Sequence, residues 1–137
     1  MKLGLALAAG ALVVHASAGF AAPPVVVVKP PHVQFGSQAY ETLTKRSFTV
    51  TNRRSQSVLV AIELVRFGDD FSALIESTCR LIDSVTLAPG ESCTQVVGFR
   101  PTPFFGGEET AIMQVVVRDL SGNLIETRDV TLTGRGY

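Results

Sequence analysis

Apolar residues recur at every second position along most of this chain and at helical spacing almost nowhere. That period is the mark of strands with one buried face. Val33 and Phe35 form a short alternating piece after Pro30-Pro31. Phe48 and Val50 share one parity within Ser47–Thr51, and Asn52-Arg53-Arg54-Ser55 then reads as a turn. Val58, Val60, Ile62 and Leu64 predict a longer strand, with all four on its buried face, broken by Gly68-Asp69-Asp70. Val85 and Leu87 mark a short strand stopped by Pro89-Gly90. Cys93, Val97 and Phe99 share the parity of the next strand, which Pro101 ends. Between Ala111 and Arg118 both parities are largely apolar, as in a central strand. Ser121-Gly122-Asn123 predicts a hairpin turn, and Val130 and Leu132 carry the last strand. Residues 69–84 show no clear period and read as a helical turn or an irregular loop. About seven short strands, with turn signals roughly every 8–12 residues, predict an all-β fold: a sandwich or a small barrel.

The amino terminus follows a different logic. Met1-Lys2 precedes an uncharged stretch, Leu3–Val14, and Ala16-Ser17-Ala18 then offers small residues at a cleavage spacing. This is the layout of a secretory signal peptide over residues 1–18, with Ala21 as the later alternative end. A membrane-spanning helix needs about 20 apolar residues, and here His15, several glycines and Pro23-Pro24 interrupt the run. Export to the periplasm or the cell exterior is therefore expected. Residues 19–31 form a Pro/Val-rich arm, and residues 32–137 form the domain proper.

Charge narrows the partners. Twelve basic residues balance twelve acidic ones, and loss of Lys2 with the leader leaves one acid in excess. A neutral chain has no general attraction for nucleic acid or anionic lipid. Lys45-Arg46 and Arg53-Arg54 flank one predicted strand without interleaved aromatics, so they make no nucleic-acid surface. No nucleic acid, no stable membrane anchor and no cofactor are expected.

Cys79 and Cys93 are the only cysteines. Metal ligation and redox catalysis are the rival readings to a disulfide. The pair has no nearby histidine for a zinc site and no C-x-x-C spacing. An exported chain favours the disulfide, which closes a loop of about 15 residues.

An ordered set of short motifs then carries a family resemblance. His32-Val33-Gln34-Phe35-Gly36 resembles a "v-x-F-G" opening strand, and Phe48-Thr49-Val50-Thr51-Asn52 resembles "f-t-V-t-N". Asp70-Phe71, Cys79 and Leu87-Ala88-Pro89-Gly90-Glu91-Ser92-Cys93 resemble "dF … C … L-x-P-G-x-s-C". Phe99-Arg100-Pro101-Thr102 resembles "F-x-P-t", and Val130-Thr131-Leu132-Thr133-Gly134 resembles a closing "v-x-L-x-G". Over about residues 30–136 the chain resembles the Hydin and choice-of-anchor D type of immunoglobulin-like domain. That type is related to the abnormal-spindle domains and to the major-sperm-protein fold. The resemblance implies an immunoglobulin-like β-sandwich, the two cysteines bonded, and no catalytic residues. Anchored members carry further domains and a sorting segment; this chain stops at Arg135-Gly136-Tyr137, so anchoring is not carried over.

The remaining chemistry is thin. Beyond the leader His32 is the sole histidine, too little for a catalytic triad. Asp69-Asp70 and Glu108-Glu109 read as solvated loop charge, since two carboxylates fall short of the six to eight oxygens calcium needs. Asp119, Ser121 and Asn123 alternate like calcium ligands, but the twelfth position is Val130, which has no oxygen, so a hairpin turn is the reading. No catalytic, cofactor or metal residue is assigned. Two segments stand out as partner contacts. Val25, Val26, Val27 and Val28, bracketed by prolines, read as a first edge strand or as an arm donated to a neighbouring subunit. Phe104 and Phe105 read as a plug at the end of the sandwich or as an exposed patch. The expected function is a secreted, non-catalytic interaction or structural module, with a protein or a cell-surface glycan as partner. A homo-oligomer built through the Val-rich arm is the alternative. A hydrolase of unknown type is the remaining class.

Overall fold

The computed structural model describes residues 24–66, 68–105 and 107–137. The expected leader, its cleavage site and residues 19–23 of the arm lie outside the described residues, as does the side chain of Phe105. Among the described residues nine strands form two sheets. They are β1 (Val26–Lys29), β2 (His32–Gln38), β3 (Thr44–Asn52), β4 (Val58–Arg66) and β5 (Phe71–Ala73), then β6 (Ser84–Leu87), β7 (Ser92–Phe99), β8 (Gly107–Arg118) and β9 (Leu124–Gly136). One sheet has the order β1-β3-β7-β5 and the other β2-β9-β8-β4-β6. Of the sandwich and the small barrel that alternation allowed, the sandwich implied by the family resemblance is the fold observed.

The core follows the alternation strand by strand. Val33 and Phe35, Phe48 and Val50, Val58, Val60 and Ile62, Cys93, Val97 and Phe99, and alternate residues of β8 are all buried between the sheets. Leu64 departs from the expectation: it is nearly half exposed. The reason is the edge. β6 pairs only with Val58–Ala61, so β4 has no strand neighbour on that side beyond the isolated Ile62–Leu81 bridge.

One end of the core explains four of the five sequence motifs at once. Phe35, Phe71 and Phe99 come from β2, β5 and β7, with ring centroids 5.8, 5.4 and 4.6 Å apart. Such aromatic contacts add stability beyond the area they bury. Gly134 of β9 lies flat under them: a Cβ there would overlap the Phe99 ring.

Two strands exceed the seven expected. β1 falls inside the Pro/Val-rich arm and pairs antiparallel with β3, Val26 opposite Asn52 and Lys29 opposite Thr49. The chain then crosses at Pro30-Pro31 to the other sheet, where β2 pairs parallel with β9. β5 has three residues and one buried side chain, Phe71, too little to show a period in sequence.

Candidate binding surfaces

The polar residues are mostly committed to structure. Asn52 is fully buried. Its Nδ2 donates to the Gln56 and Leu87 carbonyls, each at 2.9 Å, and its Oδ1 accepts from the Arg54 amide at 2.9 Å. It thereby locks the β3–β4 turn onto β6. Asp119 accepts from the amides of Ser121 and Asn123, both at 2.9 Å, and from the Asn123 side chain at 3.1 Å. These bonds hold its carboxyl below the usual range and form a turn, as expected. His32 Nε2 meets the Thr133 hydroxyl at 3.0 Å on an exposed face.

The acidic pairs are not both solvated loops. Glu108 and Glu109 belong to β8. Asp70 is 5% exposed and accepts from the Thr102 amide (2.9 Å) and hydroxyl (3.0 Å). Glu109 hydrogen-bonds to Asp70, and its carboxyl is pushed up to about 7. Burial is the leading cause, followed by that bond and by the charges of Asp70 and Asp69. The Thr102 contacts hold Asp70 in place, and Glu109 meets it from β8. Neither effect is visible in local sequence. Among the described residues no group of three or more His, Cys, Asp or Glu is placed to hold a metal ion.

Cys79 and Cys93 form a disulfide with a Cα separation of 4.9 Å. It ties the connection between β5 and β6 to β7. Ser77 and Thr78 hydroxyls in that connection accept from the Val96 and Thr94 amides at 2.8 and 2.7 Å. The edge of β7 that the short β5 leaves open is thus covered by side chains.

Of the expected contact residues, Val26 is buried, and Val25, Val27 and Val28 are half-buried along the edge strand. The arm is therefore occupied within its own chain. Phe104 sits in a single 3-10 turn, Pro103–Phe105, and is 91% exposed. It does not plug the sandwich.

A surface that the sequence did not mark lies at the open end of β4. Leu64 and Val65 are exposed there, and Leu81 and Ile82 come up beside Leu64 from the β5–β6 connection. Leu64, Leu81 and Ile82, with Glu63, line a shallow groove of about 390 Å³. Ile82 is 89% exposed and has φ 68°. A β-branched residue rarely adopts that left-handed conformation. The backbone imposes it: the Ile62 amide donates to the Arg80 carbonyl at 2.9 Å, and the Ile82 amide donates to the Ile62 carbonyl at 3.0 Å. Sequence offered one clue only, the apolar Leu64-Val65 at the end of an apolar strand.

No family model matches the chain, and no curated protein matches it. Solved structures do. The ASH/PapD-like domain 7 of human CEP192 superposes with a TM-score of 0.64 at 12% identity, over 82% of this chain and 85% of that one. WR4, a major-sperm-protein family member of C. elegans, gives 0.52 at 8% identity, over 82% and 98%. The Vibrio cholerae VesB protease gives 0.59 at 18% identity, over 82% of this chain but 31% of the protease. The fold is thus that of the PapD-like and major-sperm-protein-like immunoglobulin domains. At these identities the likeness extends to the fold alone.

Proposed function

We propose that this chain is a secreted or periplasmic, non-catalytic interaction module of the Hydin and choice-of-anchor D type, which docks a protein through the ridge of Leu64, Leu81 and Ile82. The leader layout of residues 1–18 and the Cys79–Cys93 disulfide support export. Residues 19–31 then follow the leader, and the domain runs on to residue 137. The non-catalytic reading is supported by His32, whose ring contacts a threonine and no carboxylate among the described residues. One observation carries the docking reading: Ile82 is held exposed in a conformation its side chain disfavours. Backbone strain of this kind costs on the order of 1–3 kcal/mol, and it clusters at functional positions. An aliphatic ridge, with no aromatic platform among its described residues, suits a protein better than a glycan. Donation of the Val25–Val28 arm is less well supported, since β1 must first leave β3.

The test is site-specific photocrosslinking in the native host. A crosslinker at Ile82 should yield a discrete adduct, and one at Leu124, exposed elsewhere on the domain, should not. Absence of an adduct at Ile82, or equal adducts at both positions, overturns the docking reading.

A further inference from the structure

β1 covers only half of β3. Its pairing stops at Lys29–Thr49, where Pro30 and Pro31 carry the chain across to the other sheet. Among the described residues Thr44 to Ser47 are paired on one side only, with β7. The direction of their free backbone groups follows from the ends of the strand. The Asn52 amide donates to the Glu91 carbonyl on the β7 side, and the Arg53 amide donates to the Val25 carbonyl on the β1 side. Successive residues of an antiparallel strand alternate between its two neighbours. Lys45 and Ser47 therefore aim their N–H and C=O groups out of the sheet, along the line that β1 has left.

The other wall of this opening is also an edge. The Thr131 amide donates to the Pro31 carbonyl, so the backbone groups of His32 and Gln34 alternate away from β9. Between the two edges lies an open groove of about 710 Å³, lined by Lys45, Arg46, His32 and uncharged neighbours, with no carboxylate. The Lys45 ammonium is engaged by Glu76 at 2.9 Å. Arg46 is exposed and has no ion-pair partner among the described residues. It shares parity with Phe48 and Val50, so it stands at the inner side of the sheet, at the mouth of the sandwich.

We propose that the open half of β3 receives an extended acidic segment of a partner protein as an added antiparallel strand, with a carboxylate directly opposite Arg46. An added strand in line with β1 would exchange backbone hydrogen bonds with Ser47 and Lys45. The residue opposite Arg46 would then form a non-hydrogen-bonded pair, the closer of the two kinds, with both side chains on one face. A carboxylate there meets the guanidinium in a charge-assisted hydrogen bond. A second copy of this chain fits poorly. Two β3 edges paired antiparallel would set Lys45-Arg46 against its own image, and such edge cations serve to prevent self-pairing. The chain's own Val25–Lys29 segment and residues 1–23 carry no Asp or Glu to offer.

This inference rests on the interaction reading but uses a separate surface, so the ridge and the groove fail independently. The probe is a capped nonapeptide of alternating valine, threonine and serine with a central glutamate. It is titrated into the oxidised isotope-labelled protein and followed by amide shifts and hydrogen exchange. The expected result is protection of the Lys45 and Ser47 amides, with Ile82 variants binding as the parent does. Arg46→Ala should weaken binding about tenfold, and Arg46→Glu should exchange the preference to a peptide with central lysine. Ser47→Pro removes an outward amide that β7 does not use, so it should fold and lose the peptide. Equal binding of peptides with central glutamate and glutamine, no protection at Ser47, or a concentration-dependent dimer that protects the same amides would each overturn the proposal.

Discussion

Asn52 shows how a polar residue comes to be fully buried. Its three side-chain hydrogen bonds reach a turn on its own strand and the last residue of β6. Asn52→Leu leaves the Leu87 and Gln56 carbonyls and the Arg54 amide without those partners. A buried unsatisfied group costs about 1–3 kcal/mol, so chemical denaturation of this variant should show a loss of about 3 kcal/mol. The family resemblance marked Asn52 as part of a strand ending, but its bonding partners were not legible, because Leu87 is 35 positions away. Glu109 is the opposite case. Its proton is held more tightly folded than unfolded, so the stability this gives is complete below its ordinary value of 4.5 and is lost as pH rises through about 7. The melting temperature should fall between about pH 5 and pH 8, and Glu109→Gln should flatten that slope and raise the value at pH 8. An unchanged slope in the variant would assign the pH dependence to other groups.

At the scale of elements, the strands with a long buried face were legible and the edges were not. β3, β4, β7 and β8 bury alternate residues against both sheets' interiors, so their period survives in sequence. β5 contributes one buried phenylalanine, and β9 begins six residues before Val130 with mostly polar residues, Glu126 to Asp129, that show no apolar alternation. The connection between β5 and β6 read as irregular, and it is, but it performs the work of a strand. Ser77 and Thr78 cap the β7 edge, and the disulfide fixes them there. Closing a loop of about 15 residues contributes about 3 kcal/mol in the chain-entropy model. Replacing both cysteines by serine should cost about that much and should speed hydrogen exchange at Thr94 and Val96 more than at Phe48. Uniform acceleration would mean that the disulfide acts on the unfolded chain alone. Packing sets a second element-scale test. Gly134→Ala pushes a methyl into the Phe99 ring, and strain of that kind costs typically 1–3 kcal/mol. A melting temperature equal to that of the parent would contradict the placement of β9 under the phenylalanine cluster.

The whole molecule is a sandwich whose interior is ordinary and whose rim is not. The disulfide and the sandwich were both readable from local patterns. The proposed contact surface was not, because it is assembled from the open end of β4 and a connection with no period of its own. Exposure of Phe104 also turns on the tertiary setting, since two adjacent phenylalanines beside a proline and glycines suit a plug and a patch equally well in sequence. The central claim is that the Leu64–Ile82 ridge exists for a partner and not for the fold. Ile82→Asn tests it most directly, because asparagine tolerates the left-handed conformation that isoleucine resists. The account predicts a melting temperature at or above that of the parent, together with loss of the partner complex captured through this surface. A variant that is less stable, or one that keeps the complex, would contradict it.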